Sequence, residues 1–272
     1  MVISMTQQNG ITNLVREADD QKTPETLFQY TSLGVLALIL KNRTIRFNSL
    51  ANLDDLEESQ MIFYGKNPPI TYVSCWTEIS NEEIFMWKLY TKLSDGVRIE
   101  LPVGSFVDPQ QNGDDRIKNG SYDYDHACWL PKLPQTKDDP EIVSMIQPRS
   151  CNYPSKVIYS DDFPASTIIA SEAVDKNSSV IHGDCIARFK RKTWAFQEEY
   201  RYIITLFRPG EYVPLRDYYD VNLTENAIHN MKVVTSPMFD PGNYILLEAL
   251  LKEYAGGKGF TRSSLEGQIR LK

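Results

Sequence analysis

Residues Trp194–Phe207 read WAFQEEYRYIITLF, an unbroken run of aromatic and β-branched side chains around a short charged centre. Such a run favours extended chain, and it is the strongest strand signal in the sequence. Alternation along a strand places Glu199 and Arg201 on one side with Ile203, and Glu198, Tyr200 and Tyr202 on the other. A carboxylate and a guanidinium two residues apart on one face can pair, orient one another or bind a polar ligand together. A structural ion pair at a strand end is the commoner outcome for such residues.

Shorter elements surround this strand. Leu27-Phe28-Gln29-Tyr30 reads as a strand, and Ser32 as the N-cap of a helix through the apolar run Leu33–Leu40. Thr44–Ser49 alternates, with Ile45 and Phe47 on one face and Arg46 on the other. Residues 70–79 form another strand, after which Ser80 and Glu83 match a capping box opening a helix through Met86, Trp87 and Tyr90. Gly96 ends that helix and Val97–Leu101 returns as a strand. Lys156–Tyr159, Cys185–Phe189 and Lys232–Ser236 add short strands. Asp240 and Pro241 open a last helix that Gly256-Gly257 stops. Residues 1–24 read as a loose leader or a poorly fixed helix, and 25–272 as a single domain with an irregular insertion at about 104–150. Short strands interspersed with helices indicate an α+β fold, with a mixed, mostly antiparallel sheet and flanking helices.

Composition excludes several classes. Twenty-nine Lys and Arg against thirty-six Asp and Glu give a net charge of −7 over 272 residues, so no global basic field exists for a nucleic-acid backbone. The longest apolar run falls far short of the ~20 residues of a membrane span. No secretory signal is visible, and Cys75, Cys128, Cys151 and Cys185 are too few for a disulfide scaffold, so a reducing cytoplasm is the expected location. Neither Gly-rich phosphate loop occurs, which argues against Rossmann and P-loop enzymes.

Three further constellations carry chemistry. Asp54-Asp55-Leu56-Glu57-Glu58 puts four carboxylates in five positions, a pattern that suits a hard cation or acid–base work but more often marks a solvated turn. Trp87 and Tyr90 share a helix face that can wall a pocket or join a core. His126 with Cys128 and His182 with Cys185 would supply four zinc ligands, although the spacing is that of no common zinc motif. No metal site is therefore assigned.

The chain resembles an uncharacterised bacterial family, domain of unknown function twenty-nine seventy-one. The resemblance lies in Leu27–Ser32, Leu36–Leu40 and Ile45–Phe47, then in Cys75–Glu78, Met86-Trp87, Tyr90 and Gly96–Ile99. It continues in Trp194, Glu199 and Arg201 of a W-x-x-E-x-E-x-R block, with Gln197 in place of the first Glu, and in the Ser264-Leu265 tail. Of the family block F-N-D-P-F-E, only Asp55 and Glu58 are kept. The layout is similar to ADP-ribosyltransferase-like folds.

That similarity implies an NAD-using ADP-ribosyltransferase or glycohydrolase, acting as a toxin or phage-defence effector on a macromolecular acceptor. NAD is then a substrate, and no cofactor is required. Glu199 would stabilise an oxocarbenium-like transition state, with Glu58 as an accessory acid. Arg46 or Arg201 would hold a phosphate, and Tyr30 and Trp87, with Tyr90 beside them, would contact the nicotinamide or adenine. The alternative is a non-catalytic domain sensing a nucleotide-like ligand through the same residues. A second alternative is a metal-dependent nuclease using Asp54, Asp55 and Glu58. Exposure separates the three: a transferase needs Glu199 open at the floor of a cleft, a sensor tolerates it closed against Arg201, and a nuclease needs Asp55 and Glu58 converging.

Overall fold

The computed structural model describes residues 5–60, 62–63, 70–107, 144–146, 153–162, 169–173, 179–181, 185–207 and 217–270. In chain order the elements are α1 (Met5–Asp19), β1 (Thr26–Ser32), α2 (Leu33–Asn42), β2 (Thr44–Ser49), β3 (Ile62–Phe63), β4 (Ile70–Thr77), α3 (Ile84–Tyr90) and β5 (Gly96–Pro102). There follow β6 (Ser144–Ile146), β7 (Ser155–Lys156), β8 (Ile158–Tyr159), β9 (Ile169–Ala173), β10 (Ser179–Ile181), β11 (Phe189–Lys190) and β12 (Glu199–Phe207). The chain ends through β13 (Tyr218–Asn222), α4 (Glu225–Asn230), β14 (Lys232–Thr235) and α5 (Pro241–Tyr254). The fold is α+β, with mostly antiparallel strand pairing and flanking helices.

The chain divides into two compact, discontinuous units. The first comprises Met1–Thr23, Arg46–Cys75 and Asp108–Asp220, and the second Pro24–Ile45, Trp76–Val107 and Val221–Lys272.

In the first unit β12 pairs antiparallel with β7, Tyr200 facing Lys156 and Arg201 facing Ser155, and with β6 farther along. It also pairs with β4, across which the hydroxyls of Thr71 and Thr205 lie 3.3 Å apart. β4 in turn pairs with β2 at Asn48 and Val73. The apolar core gathers Ile11 and Val15 of α1 with Leu50, Val73, Ile158, Ile186, Phe189 and Ile203. Of the two readings of this stretch, loose leader or poorly fixed helix, the helix is the one formed. Ile11, Leu14, Val15 and Ala18 fall three or four apart on one face, and each buried aliphatic side chain contributes about 1.5–3 kcal/mol.

The expected strand from Trp194 begins only at Glu199. Residues Lys192–Gln197 form a 3-10 helix, which closes at Glu198 in the left-handed region (φ 41°). Aromatic residues favour strands only where a neighbouring strand can pair with them, and the paired partners start opposite Tyr200.

In the second unit β1 runs antiparallel to β5 over its whole length, from Thr26 opposite Pro102 to Ser32 opposite Gly96. β14 pairs on the other side of β5. Ser32 caps α2 by accepting from the Val35 N–H at 3.2 Å, as its position suggested. The Ser80–Glu83 capping box does not form: Glu83 is itself the N-cap, without a side-chain bond, and the Ser80 carbonyl accepts from Arg98 instead. Asp240 and Pro241 do open α5. A Cβ on Gly96 would stand 2.5 Å from the Thr91 hydroxyl, so the turn into β5 requires glycine.

Most of the expected insertion, 108–143 and 147–152, lies outside the described residues, as do His126, Cys128 and His182. No helix among the described residues is long and apolar enough to cross a membrane.

Candidate functional site

The first unit encloses a cluster of four charged side chains, Glu58, Lys190, Glu199 and Arg201, all buried. Strand geometry assembles it. β11 runs parallel to β8, setting Lys190 beside Tyr159, while the Val157 N–H donates to the Glu199 carbonyl at 2.9 Å. The Glu199 N–H donates to the Tyr159 phenol oxygen at 3.0 Å. These contacts bring the first residue of β12 against β8 and β11.

Arg201 lies two residues along β12 on the same face as Glu199, as alternation requires. Its Nε donates to Glu199 Oε1 at 2.6 Å and its second amino group to Oε2 at 3.1 Å, while the remaining one donates to the Ala187 carbonyl at 2.9 Å. Lys190 Nζ reaches Glu199 Oε2 at 3.2 Å, Gln197 Oε1 at 2.9 Å and Glu58 Oε1 at 3.2 Å. Arg201 also pairs with Glu58. The Glu58 oxygens accept no well-directed hydrogen bond, so their attraction to the two cations is Coulombic.

Two carboxylates and two cations thus neutralise one another in an interior that would otherwise reject each of them. Burial pushes the Glu199 carboxyl up, but Arg201 and then Lys190 outweigh it and hold the group at about 2. Glu199 is therefore ionised throughout the physiological range. Burial pushes the Cys75 thiol well up, and the Glu199 charge adds to that, which disfavours the thiolate. Burial and Glu199 likewise keep the Tyr159 phenol protonated.

The 3-10 helix covers this cluster. Its Trp194 ring sits 4.8 Å from Lys190 Nζ, and Gln197 closes its end on the same ammonium. Beside it Arg191 grips Asp55 through two bonds of 3.1 and 2.7 Å. Burial raises the Asp55 carboxyl, yet the Arg191 bonds prevail and lower it.

The acidic run is therefore no solvated turn. Asp55 and Glu58 are buried, Glu57 contacts Arg191 at 3.4 Å, and Asp54 stands 3.9 Å from Lys190. The carboxylates that a nuclease would direct at a cation are directed at Arg191, Lys190 and Arg201. Among the described residues no group of three or more His, Cys, Asp or Glu is arranged to hold a metal ion.

The other expected ligand-binding residues lie elsewhere. Arg46 is also in the first unit, donating to Asp220 at 2.9 and 3.1 Å with its guanidinium 3.5 Å from the Tyr218 ring centre. Tyr30 and Trp87 belong to the second unit, packed edge to face at 4.7 Å within a cluster that includes Met86, Val234 and Leu265. They meet each other's rings rather than leaving a slot between them. The Trp87 indole N–H donates to Glu82, which also accepts from Ser263 and Ser264. Tyr90, at the end of α3, is partly exposed.

As site residues Lys190 and Tyr159 escape the sequence reading, and Gln197 and Cys75 enter it only as positions in the resemblance. The readable signal is Arg188-Phe189-Lys190, where cations flank an aromatic at the end of the expected Cys185–Phe189 strand. The chain matches no family model, no curated protein and no solved structure.

Proposed function

We propose that the protein works by binding, as a domain that senses a nucleotide-like ligand, and that Glu199 belongs to its framework. One observation carries this reading. Glu199 is 4% exposed, and both its oxygens are taken by Arg201 and Lys190, leaving no open edge for a ribose hydroxyl. The 3-10 helix supports the ligand class: partly exposed Trp194 and Phe196 lie beside the half-exposed Arg191, and an aromatic surface flanked by cations suits a base and a phosphate.

The test is thermal unfolding with NAD, ADP-ribose or ATP, for wild type and Trp194→Ala. A rise in Tm with one of these, lost in a Trp194→Ala protein that still folds, supports the reading. No shift with any of them overturns the ligand class.

A second reading rests on the same carboxylate. An ionised Glu199 in a desolvated setting is what an NAD-using ADP-ribosyltransferase or glycohydrolase of a toxin or phage-defence system needs at an oxocarbenium-like transition state. It requires the 3-10 helix to lift away from Lys190, and nicotinamide release would distinguish it from sensing.

A further inference from the structure

We infer that the outward faces of α2 and α5 form an interface between two copies of this chain. Both helices belong to the second unit and pack against one another. Each buries one side, α2 through Leu33, Leu36, Ile39 and Leu40 and α5 through Leu247 and Leu251. Each also turns large aliphatic side chains outward: Val35 is 44% exposed, Leu38 53%, Ile245 70% and Leu246 56%. Exposed apolar residues scattered singly need no explanation, whereas a group of them on adjacent helices marks a contact surface. A helix that is apolar nearly all round, as α2 is up to Lys41, belongs inside an assembly.

The charges on these faces identify the occupant. The exposed face of α2 carries Lys41 and no acid, whereas that of α5 carries Glu248 and Glu253 against Lys252. Among the described residues neither Lys41 nor Glu248 has an ion-pair partner. Lys41 follows Leu38 by three residues, and Glu248 follows Ile245 by three. When α2 of one copy lies along α5 of another, Leu38 meets Ile245 and Lys41 meets Glu248 in the same register. A two-fold axis makes each contact twice and closes the assembly as a dimer. The surface is thus complementary to itself, and this inference is independent of the proposed ligand.

The test is sedimentation of the full chain over the micromolar range, with near-ultraviolet circular dichroism to verify folding. The wild type is expected to dimerise. The double substitution Leu38→Glu with Ile245→Glu is expected to raise the dimer dissociation constant at least about a hundredfold while the spectrum is kept, because both side chains are exposed in the single chain. Lys41→Glu and Glu248→Lys are each expected to weaken the dimer about tenfold, and the two together to restore it. A wild type that stays monomeric throughout would overturn the inference, as would a dimer indifferent to Leu38→Glu with Ile245→Glu. Charge reversals that fail to rescue one another would overturn the register.

Discussion

The two units differ in how much charge their interiors hold. The second is centred on aromatic and aliphatic packing, with Tyr30, Met86, Trp87, Val234 and Leu265 in contact and Glu82 binding the indole N–H and the Ser263-Ser264 tail. Among its described residues it buries a single cation, Arg98, paired with Glu100 at 2.8 Å. The first places Glu58, Lys190, Glu199 and Arg201 together beside its apolar core. Apolar packing tolerates small losses locally, because neighbouring side chains relax into the space. A buried ion cluster does not, because removing one member leaves another charged and dry. The four charges stay compensated only while β8, β11 and β12 keep this arrangement.

That contrast can be broken experimentally. The largest effect is expected from Arg201→Met, which leaves two buried carboxylates facing Lys190 alone. We expect a loss of about 3–5 kcal/mol in urea unfolding. Adding Glu58→Met to it restores neutrality and should recover most of that loss; a double variant as unstable as the single one would mean that packing, not charge, dominates there. Trp87→Ala should cost a similar amount, about 3–5 kcal/mol, through the cavity left beside Tyr30. In this case no compensating charge change exists, so only refilling the volume should rescue it.

Acid should separate the units next. The Glu199 carboxyl is held at about 2, below the usual 4.5, so its contribution is fully present above about pH 4.5 and is lost as the pH falls towards 2. Hydrogen exchange of β12 amides should therefore speed up over that window before exchange of β1 and β5 does. Simultaneous loss of protection in both units would remove the contrast. The smallest effect is expected from Ser32→Ala, which deletes the α2 cap for about 1 kcal/mol, read from the urea midpoint.

Much of the second unit is legible from sequence because its signals are local. Ser32 precedes an apolar run, Asp240 precedes Pro241, and Gly96 falls where any side chain would clash. The failure at Ser80 shows the limit: the box matched, but the Arg98 side chain claims the Ser80 carbonyl and the helix starts later. In the first unit periodicity shows only the Glu199–Arg201 pair, since two residues on one strand face meet without help from the fold, and Glu58 is joined to them only by the resemblance. Lys190 and Tyr159 join them through a parallel pairing of two-residue strands, and Glu58 arrives from far along the chain. Local periodicity carries no information about either contact. The α1 stripe was readable in Ile11, Leu14, Val15 and Ala18, but its worth depends on a core formed by distant residues.

The most direct test of Glu199 as framework is nicotinamide release from NAD by wild type and Glu199→Gln, each measured beside its urea unfolding curve. The structure predicts no release from either protein and a loss of several kcal/mol in the variant, since Arg201 and Lys190 would be left undercompensated. Release by the wild type, abolished in a variant that unfolds at an unchanged urea concentration, would contradict it and make Glu199 the catalytic carboxylate of a transferase or glycohydrolase.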